Sequence, residues 1–419
     1  MTPEDKRVMQ KYAYQEVAPV MVEYTKWILN ECKIRGLKKV YFLARDGYLL
    51  YKLANEICEK NNLNIDCRYL YCSRFSLRMP SYHIIGDEAQ KLLFAKGYYY
   101  TTKSVLERAD LNENEIKKVL KEIEVLDSDK NLTEKEFEEL VLKLKNNKTF
   151  NDLLEKKSKE AYKNTIQYFK EQGLFDDENI VIADVGWIGS MQRSLRQLVK
   201  EYGYNGNIIG FYFGLFTTPK QEDGEYLTYY FSAKTGTKRK VMFNNNLFEC
   251  MLSANHGMTM GYEKTSDGTK PMLKPFDSNL LDFVNLQIDT VIKFTKENKD
   301  VLSVENFNLK KSINIAYKHL KRVMIYPTKD EVEMLSNFIF CDDVTEGYHL
   351  SLADKNMSKS LKASMIFPRV FRKVFKKKNT EKTNLFWPYG VVVYQPKILR
   401  PWYRLNLKIW DTLRYIIKK

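Results

Sequence analysis

The chain has 419 residues, 44% of them apolar, and a formal charge of +15, which suits a globular protein of two or three structural units and excludes a disordered one. The N-terminus, MTPEDKRVMQKYAYQEVAPV, lacks the basic start and unbroken apolar run of a signal peptide, and no later window reaches ~18 uninterrupted apolar residues. A cytosolic protein without a spanning helix is expected.

Residues from about Lys6 to Cys32 carry apolar side chains at helical spacing, among them Tyr12, Val17, Val20, Trp27 and Ile28. Val40 to Ala44 then reads as a buried strand, and from Tyr48 the period changes to a helix with Leu49, Leu50, Leu53 and Ile57 on one face. Between them lies Arg45-Asp46-Gly47. An acid-glycine loop at the carboxyl end of a strand is where open α/β sheets place ligand chemistry. A second strand, IDCRYLYCSR, ends in Ser73-Arg74; Arg74 and Arg78 could reach a phosphate there or could equally pair with carboxylates of the following helical segment.

From Asp87 to Phe175 Lys- and Glu-rich helical patterns replace the strand signals, and Thr133 with Glu136 forms a capping-box start. Segment 87–175 reads as a helical insertion with solvated charged faces. Sheet character returns at ENIVIADVGWIGSMQRSLRQL, where Ile180 to Ala183 form a buried strand, Asp184 closes it and a helix starts near Ser190. That helix N-terminus offers unpaired N–H groups and about half a positive charge to a phosphate. Gly186 and Gly189 would let the backbone approach the anion, and Ser190 would add a hydroxyl. A further strand runs from about Ile208 to Leu215. The two loops share one construction, so parallel neighbouring strands would open both at the same edge.

Farther on, Glu249 and His256 lie seven residues apart in FECMLSANHG, a spacing that can put an acid and a base in one pocket. A lone histidine is more often a satisfied core or surface residue. The tyrosine-rich KGYYYTT and YLTYYF read as packing, and Asp277 to Asp343 reads as helical without a catalytic pattern. Six cysteines (Cys32, Cys58, Cys67, Cys72, Cys250, Cys341) lack zinc-ligand spacing and read as reduced, mostly buried thiols.

The charge is concentrated at the end. From Leu361 to Lys419 fifteen Lys or Arg oppose only Glu381 and Asp411, a net +13 that leaves +2 for the preceding 360 residues. After FPRVFRKVFKKKNTEK, a helix from Pro401 would align Trp402, Leu405, Ile409, Leu413 and Ile416 in one stripe flanked by Arg404, Lys408 and Lys418. Such a stripe suits an anionic membrane surface; the bland alternative is a terminal helix docked on the body with a solvated basic face. Nucleic acid is a third candidate partner, but no recognition-helix, zinc-finger or RNA-binding signature supports it.

The segments KKVYFLARDGYLLYKLA, YLYCSRFSLRMPS, IVIADVGWIGSMQRSL and IIGFYFGL, in this order, resemble the module that follows the HAD-like domain in predicted HAD-superfamily hydrolases of bacterial surface-polysaccharide clusters. The resemblance spans roughly residues 10–262, with the insertion poorly matched. HAD phosphatases use an Asp-x-Asp after a strand, together with Mg2+. Here Asp46 is followed by Gly47-Tyr48 and Asp184 by Val185-Gly186, so neither loop supplies the second carboxylate. In fold pattern the chain also resembles type I phosphoribosyltransferases, with Arg45-Asp46-Gly47 like their pyrophosphate loop and Asp184 to Ser190 like their sugar-phosphate loop.

These readings give an α/β fold with a mainly parallel Rossmann-like sheet: 1–86 with 176–262 as core, 87–175 as helical insertion, 263–360 as helical C-terminal region and 361–419 as basic amphipathic tail. The expected function is glycosyl transfer from a phosphorylated or nucleotide-linked sugar in surface-polysaccharide synthesis, at the inner face of the plasma membrane and beside glycosyltransferases. Asp46, Asp184 and Arg45 would be catalytic, and Gly47, Arg74, Gly186, Trp187, Gly189 and Ser190 would bind substrate. Glu249 and His256 are the candidate acid/base pair, and Asp184 is the candidate ligand for Mg2+. The alternatives are a HAD-type phosphatase and an inert scaffold for a glycosyltransferase.

Overall fold

The computed structural model describes residues 1–97, 100–340, 344–345, 350–366 and 385–417, and no side chain at 339, 340 or 414–417. Helices α1 (Pro3–Tyr12) and α2 (Ala18–Ile34), joined by a π-helical turn at Ala13–Val17, lead into β1 (Lys39–Leu43). Then come α3 (Gly47–Asn61), β2 (Asp66–Leu70) and α4 (Arg74–Arg78). Between 87 and 171 the described elements are all helices: α5 (Asp87–Leu93), α6 (Thr102–Glu107), α7 (Glu113–Glu122), α8 (Glu134–Asn146) and α9 (Lys148–Glu171). The capping box at Thr133 is formed, its side chain accepting from the Glu136 N–H and the Glu136 carboxylate accepting from the Thr133 N–H.

The sheet resumes with β3 (Asn179–Asp184), α10 (Ser190–Glu201), β4 (Asn207–Gly214) and β5 (Glu225–Phe231). All five strands are parallel, in the order β2-β1-β3-β4-β5. The chain reverses its direction of travel across the sheet between β1 and β3, where Phe42 is in register with Ala183. That reversal opens a crevice at the carboxyl ends of the two strands, the usual ligand position in a doubly wound sheet.

Strands buried on both faces read as continuous apolar runs, and this explains why β1, β3 and β4 are legible in sequence. On one face Val40, Phe42, Val181, Ala183, Ile209, Phe211 and Phe213 pack against α2 and α3, together with helices from later in the chain. On the other, Tyr41, Leu43, Ile180, Ile182 and Ile208 meet α10 and the end of α9 through Leu195, Leu198, Tyr168 and Phe169. Thus α9 covers the sheet as well as closing the insertion, whose other helices share a separate core around Val105, Val119, Phe137 and Leu144.

Beyond β5 come α11 (Thr237–Val241) and α12 (Asn245–Cys250). A hairpin of β6 (Thr259–Thr265) and β7 (Gly268–Leu273) follows. The hairpin and β5 depart from the sequence reading: YLTYYF belongs to an edge strand, and its half-exposed first residues blur the apolar run. Helices α13 (Ser278–Glu297), α14 (Leu309–Ile325), α15 (Lys329–Leu335), α16 (Ser358–Ala363), α17 (Pro388–Val391) and α18 (Arg400–Ile417) complete the chain. The expected separate tail is partly body: Leu361, Trp387, Val391, Val392, Tyr403 and Leu407 belong to the same core as the sheet. The basic segment FPRVFRKVFKKKNTEK lies outside the described residues, as do Tyr98, Tyr99 and Cys341. The other five cysteines are free thiols; Cys58 and Cys67 are half-buried, their sulfurs 3.8 Å apart. Among the described residues no helix is long and apolar enough to cross a membrane.

Candidate functional site: an acid cluster at the carboxyl edge of the sheet

Strand β1 ends at Leu43, and the Ala44 N–H still donates to Leu70 O at 3.0 Å, so Arg45 and Asp46 emerge at the top of the sheet. Asp46 sits at the N-cap of α3 without making a side-chain capping bond, which leaves its carboxyl to the crevice. Next to it, β3 ends at Asp184, whose Oδ1 accepts from the Val185 N–H at 2.8 Å. Buried Tyr24 fixes this end of the strand by donating its hydroxyl to Asp184 O at 2.6 Å. The Ala44–Arg45 and Gly186–Trp187 peptide bonds are both cis.

The third carboxyl comes from α12. The Trp187 indole N–H donates to Glu249 Oε1 at 2.7 Å, and the ring lies among Phe216, Phe231, Phe243 and Phe248. Half-buried Asp46 is within reach of the charges of buried Asp184 and half-buried Glu249, and each of the three is pushed above the usual carboxylate range. For Asp46 burial is the chief cause, followed by the charges of Glu249 and Asp184, with Arg45 and Arg74 opposing; the carboxyl is held well above its ordinary value. Burial raises Asp184 to about 7 against the Val185 N–H bond. Burial also raises Glu249, against the Trp187 hydrogen bond and the two arginines. Burial penalises the charged form of every acid here, and each acid raises the others' cost of ionising.

The cations are placed to answer this charge. Arg45 adjoins Asp46, and Arg74 begins α4 after the Ser73 cap. Arg74 is exposed and makes no hydrogen bond or ion pair among the described residues, although its charge reaches all three acids. A solvent-facing guanidinium over a buried acid cluster can take up a phosphate in bidentate fashion.

On the β2 side the wall is aromatic. His256 Nδ1–H donates to Gly257 O at 2.8 Å, so the neutral ring accepts the Tyr69 hydroxyl at Nε2, at 2.7 Å. Tyr48, Tyr69 and Tyr71 surround the ring with centroids 5.0–6.0 Å away. Burial depresses the His256 pKa, and nearby Arg45 adds to this. His256 thus lies within reach of the Arg45 charge, and its Nε2 is engaged by Tyr69.

The expected site residues Arg45, Asp184 and Arg74 all act on the charge of Asp46, and Glu249, expected only as a partner of His256, joins them. Four of the expected substrate-binding residues have partners within the protein itself. Gly186, at φ +138°, is required by protein packing: a Cβ there would lie 2.1 Å from Gly214 O. Gly189 likewise faces the Tyr226 ring, and Gly47 faces the Phe42 backbone. The closeness that these glycines permit is to the protein itself. Trp187, expected to contact substrate, gives its indole N–H to Glu249. The expected helix start at Ser190 is observed, with Gly189 as N-cap. The Tyr48–Tyr69–Tyr71 wall escaped notice because its members come from two elements and carry no shared motif. A scan against protein-family models finds no match, and no curated protein matches the chain.

Proposed function

We propose that the protein is an enzyme that transfers a glycosyl group from a phosphorylated or nucleotide-linked sugar in bacterial surface-polysaccharide synthesis. The observation that carries this reading is the side-by-side placement of the Asp46 and Asp184 loops at the β1/β3 reversal, where the charges of two arginines oppose those of three acids. A departing phosphate would be met by Arg74 and Arg45, whose charge stabilises the negative charge developing on it. An Asp46 carboxyl that keeps its proton donates to a phosphate oxygen rather than repelling it. Asp184 accepts from sugar hydroxyls, and Glu249, oriented by Trp187, takes the proton of an attacking hydroxyl. The work would take place at the inner face of the plasma membrane, as the +13 charge of residues 361–419 favours.

Mg2+ fits the donor set in one mode. Among the described residues no group of three or more ligating side chains is placed to hold a metal, but Mg2+ characteristically uses one or two carboxylates completed by substrate phosphate oxygens. Asp184 would supply the carboxylate, and the bound ion would supply charge neutralisation on the phosphate.

A specific observation also favours a second reading, phosphate-ester hydrolysis. Neither loop has an Asp-x-Asp, yet Asp184 and Glu249 bring further carboxylates to Asp46 in space. Incubating the full chain with sugar phosphates and nucleotide sugars, with Mg2+ and an acceptor glycan, separates these outcomes. Donor consumption with glycan extension supports transfer, and inorganic phosphate release without extension supports hydrolysis. Normal polymer production by folded Asp46→Asn and Asp184→Asn variants would leave only a scaffold role.

A further inference from the structure

Helix α18 has two unlike faces. One is fastened to the body: Tyr403 and Leu407 are buried in the main core, Arg404 Nε donates to Ile325 O at 3.1 Å, and its guanidinium lies 5.1 Å from the Tyr326 ring centre. The other is apolar and open. Trp402, Leu405, Ile409 and Leu413 recur at spacings of three and four, and with Ile398 and Leu399 just ahead of the helix they are between 38% and 86% exposed. The sequence alternatives were a membrane stripe or a docked helix with a solvated basic face. The helix is docked, and the face it leaves in water is the apolar one.

A contiguous exposed patch of this kind marks an interaction surface. We propose that this outer face of α18 is a docking surface for an anionic lipid monolayer, a proposal that rests on the membrane location given above and assigns the element responsible. The charge around the patch selects this occupant. Exposed Lys397 and Lys408 flank the apolar residues, and Asp411 is the one acid between Pro388 and Lys419. A self-complementary dimer through the patch would set two strongly basic regions against each other, whereas anionic headgroups neutralise them. A helix lying in the interface with its apolar face inserted and its lysines at headgroup level satisfies both sets of groups. Because Tyr403, Arg404 and Leu407 already hold the helix, docking needs no refolding. The patch is joined to the sheet through α11, on which α18 packs and which follows the carboxyl end of β5.

The test is flotation of the full chain with vesicles of phosphatidylcholine alone and of phosphatidylcholine containing one-third phosphatidylglycerol. Binding should be at least about tenfold stronger to the anionic vesicles and weaken with added salt. The double variant Leu405→Glu, Ile409→Glu should lose about tenfold or more of that binding, with unchanged circular dichroism and melting because both positions are exposed. Unchanged binding by this variant would overturn the proposal and give the role to the basic segment alone. Equal binding to both vesicles, or a lipid-free dimer that the variant disperses, would also overturn it. Asp184→Asn should float like the unaltered protein, so failure of the enzymatic reading and failure of the docking surface are distinct results.

Discussion

The loops that follow β1 and β3 are built alike in sequence, an acid after an apolar strand and a glycine before a helix, yet they place their acids differently. Asp184 is anchored, its side chain accepting from Val185 N–H and its carbonyl from Tyr24. Asp46 has no capping bond and faces the charges of Glu249 and Asp184. One local signature thus yields a carboxyl balanced near neutrality at Asp184 and one held well above the usual range at Asp46. Local sequence creates the loop; its neighbours set the chemistry.

The largest expected effect comes from removing either loop's acid. Asp46→Asn and Asp184→Asn should each cut turnover by roughly a hundredfold or more while the fold persists, as measured by glycan extension and circular dichroism. The glycines then sharpen the comparison. Gly186→Ala must place a Cβ against Gly214 O at positive φ, and should cost about 3 kcal/mol or more in urea unfolding. Gly47→Ala has only a tight approach to Phe42 to relieve, and should cost less, about 1–3 kcal/mol.

The anchored acid has a pH signature. Because the folded protein raises Asp184 from 3.8 to about 7, its contribution to stability is full below about pH 4 and is lost as pH rises toward 7. The slope over that range is of order 1 kcal/mol per pH unit. Asp184→Asn should abolish this slope, so urea unfolding at pH 5 and pH 8 should show the variant gaining relative stability at the higher pH. The smallest effect on the fold belongs to Arg74→Gln, which should leave stability within about 0.5 kcal/mol because the side chain is exposed. The same change should weaken binding of a phosphorylated sugar, read by calorimetry, about tenfold or more.

Much of this site was legible before the fold was known, because strand termini, glycine turns and helix starts are local signals. Arg45, Asp46, Asp184 and Ser190 each stand at a boundary between an apolar run and a helical period. Glu249 was visible only as one acid near a histidine, since nothing in FECMLSANHG states that Trp187 will reach it across the sheet edge. The aromatic wall was less visible still. Edge strand β5 and the β6–β7 hairpin were missed because half-exposed strands lose the continuous apolar pattern that marks β1, β3 and β4.

The sequence by itself determined the α/β alternation, the two acid-glycine loops and the amphipathic period of the last helix, because these follow from side-chain polarity at fixed spacing along the chain. Tertiary structure decided three things: that β1 and β3 lie side by side, that three carboxyls from distant segments come within reach of one another's charge, and that α18 turns its apolar stripe outward. Strand order and burial arise from packing between residues distant in sequence, and the desolvation that raises the acids exists only once that packing has formed.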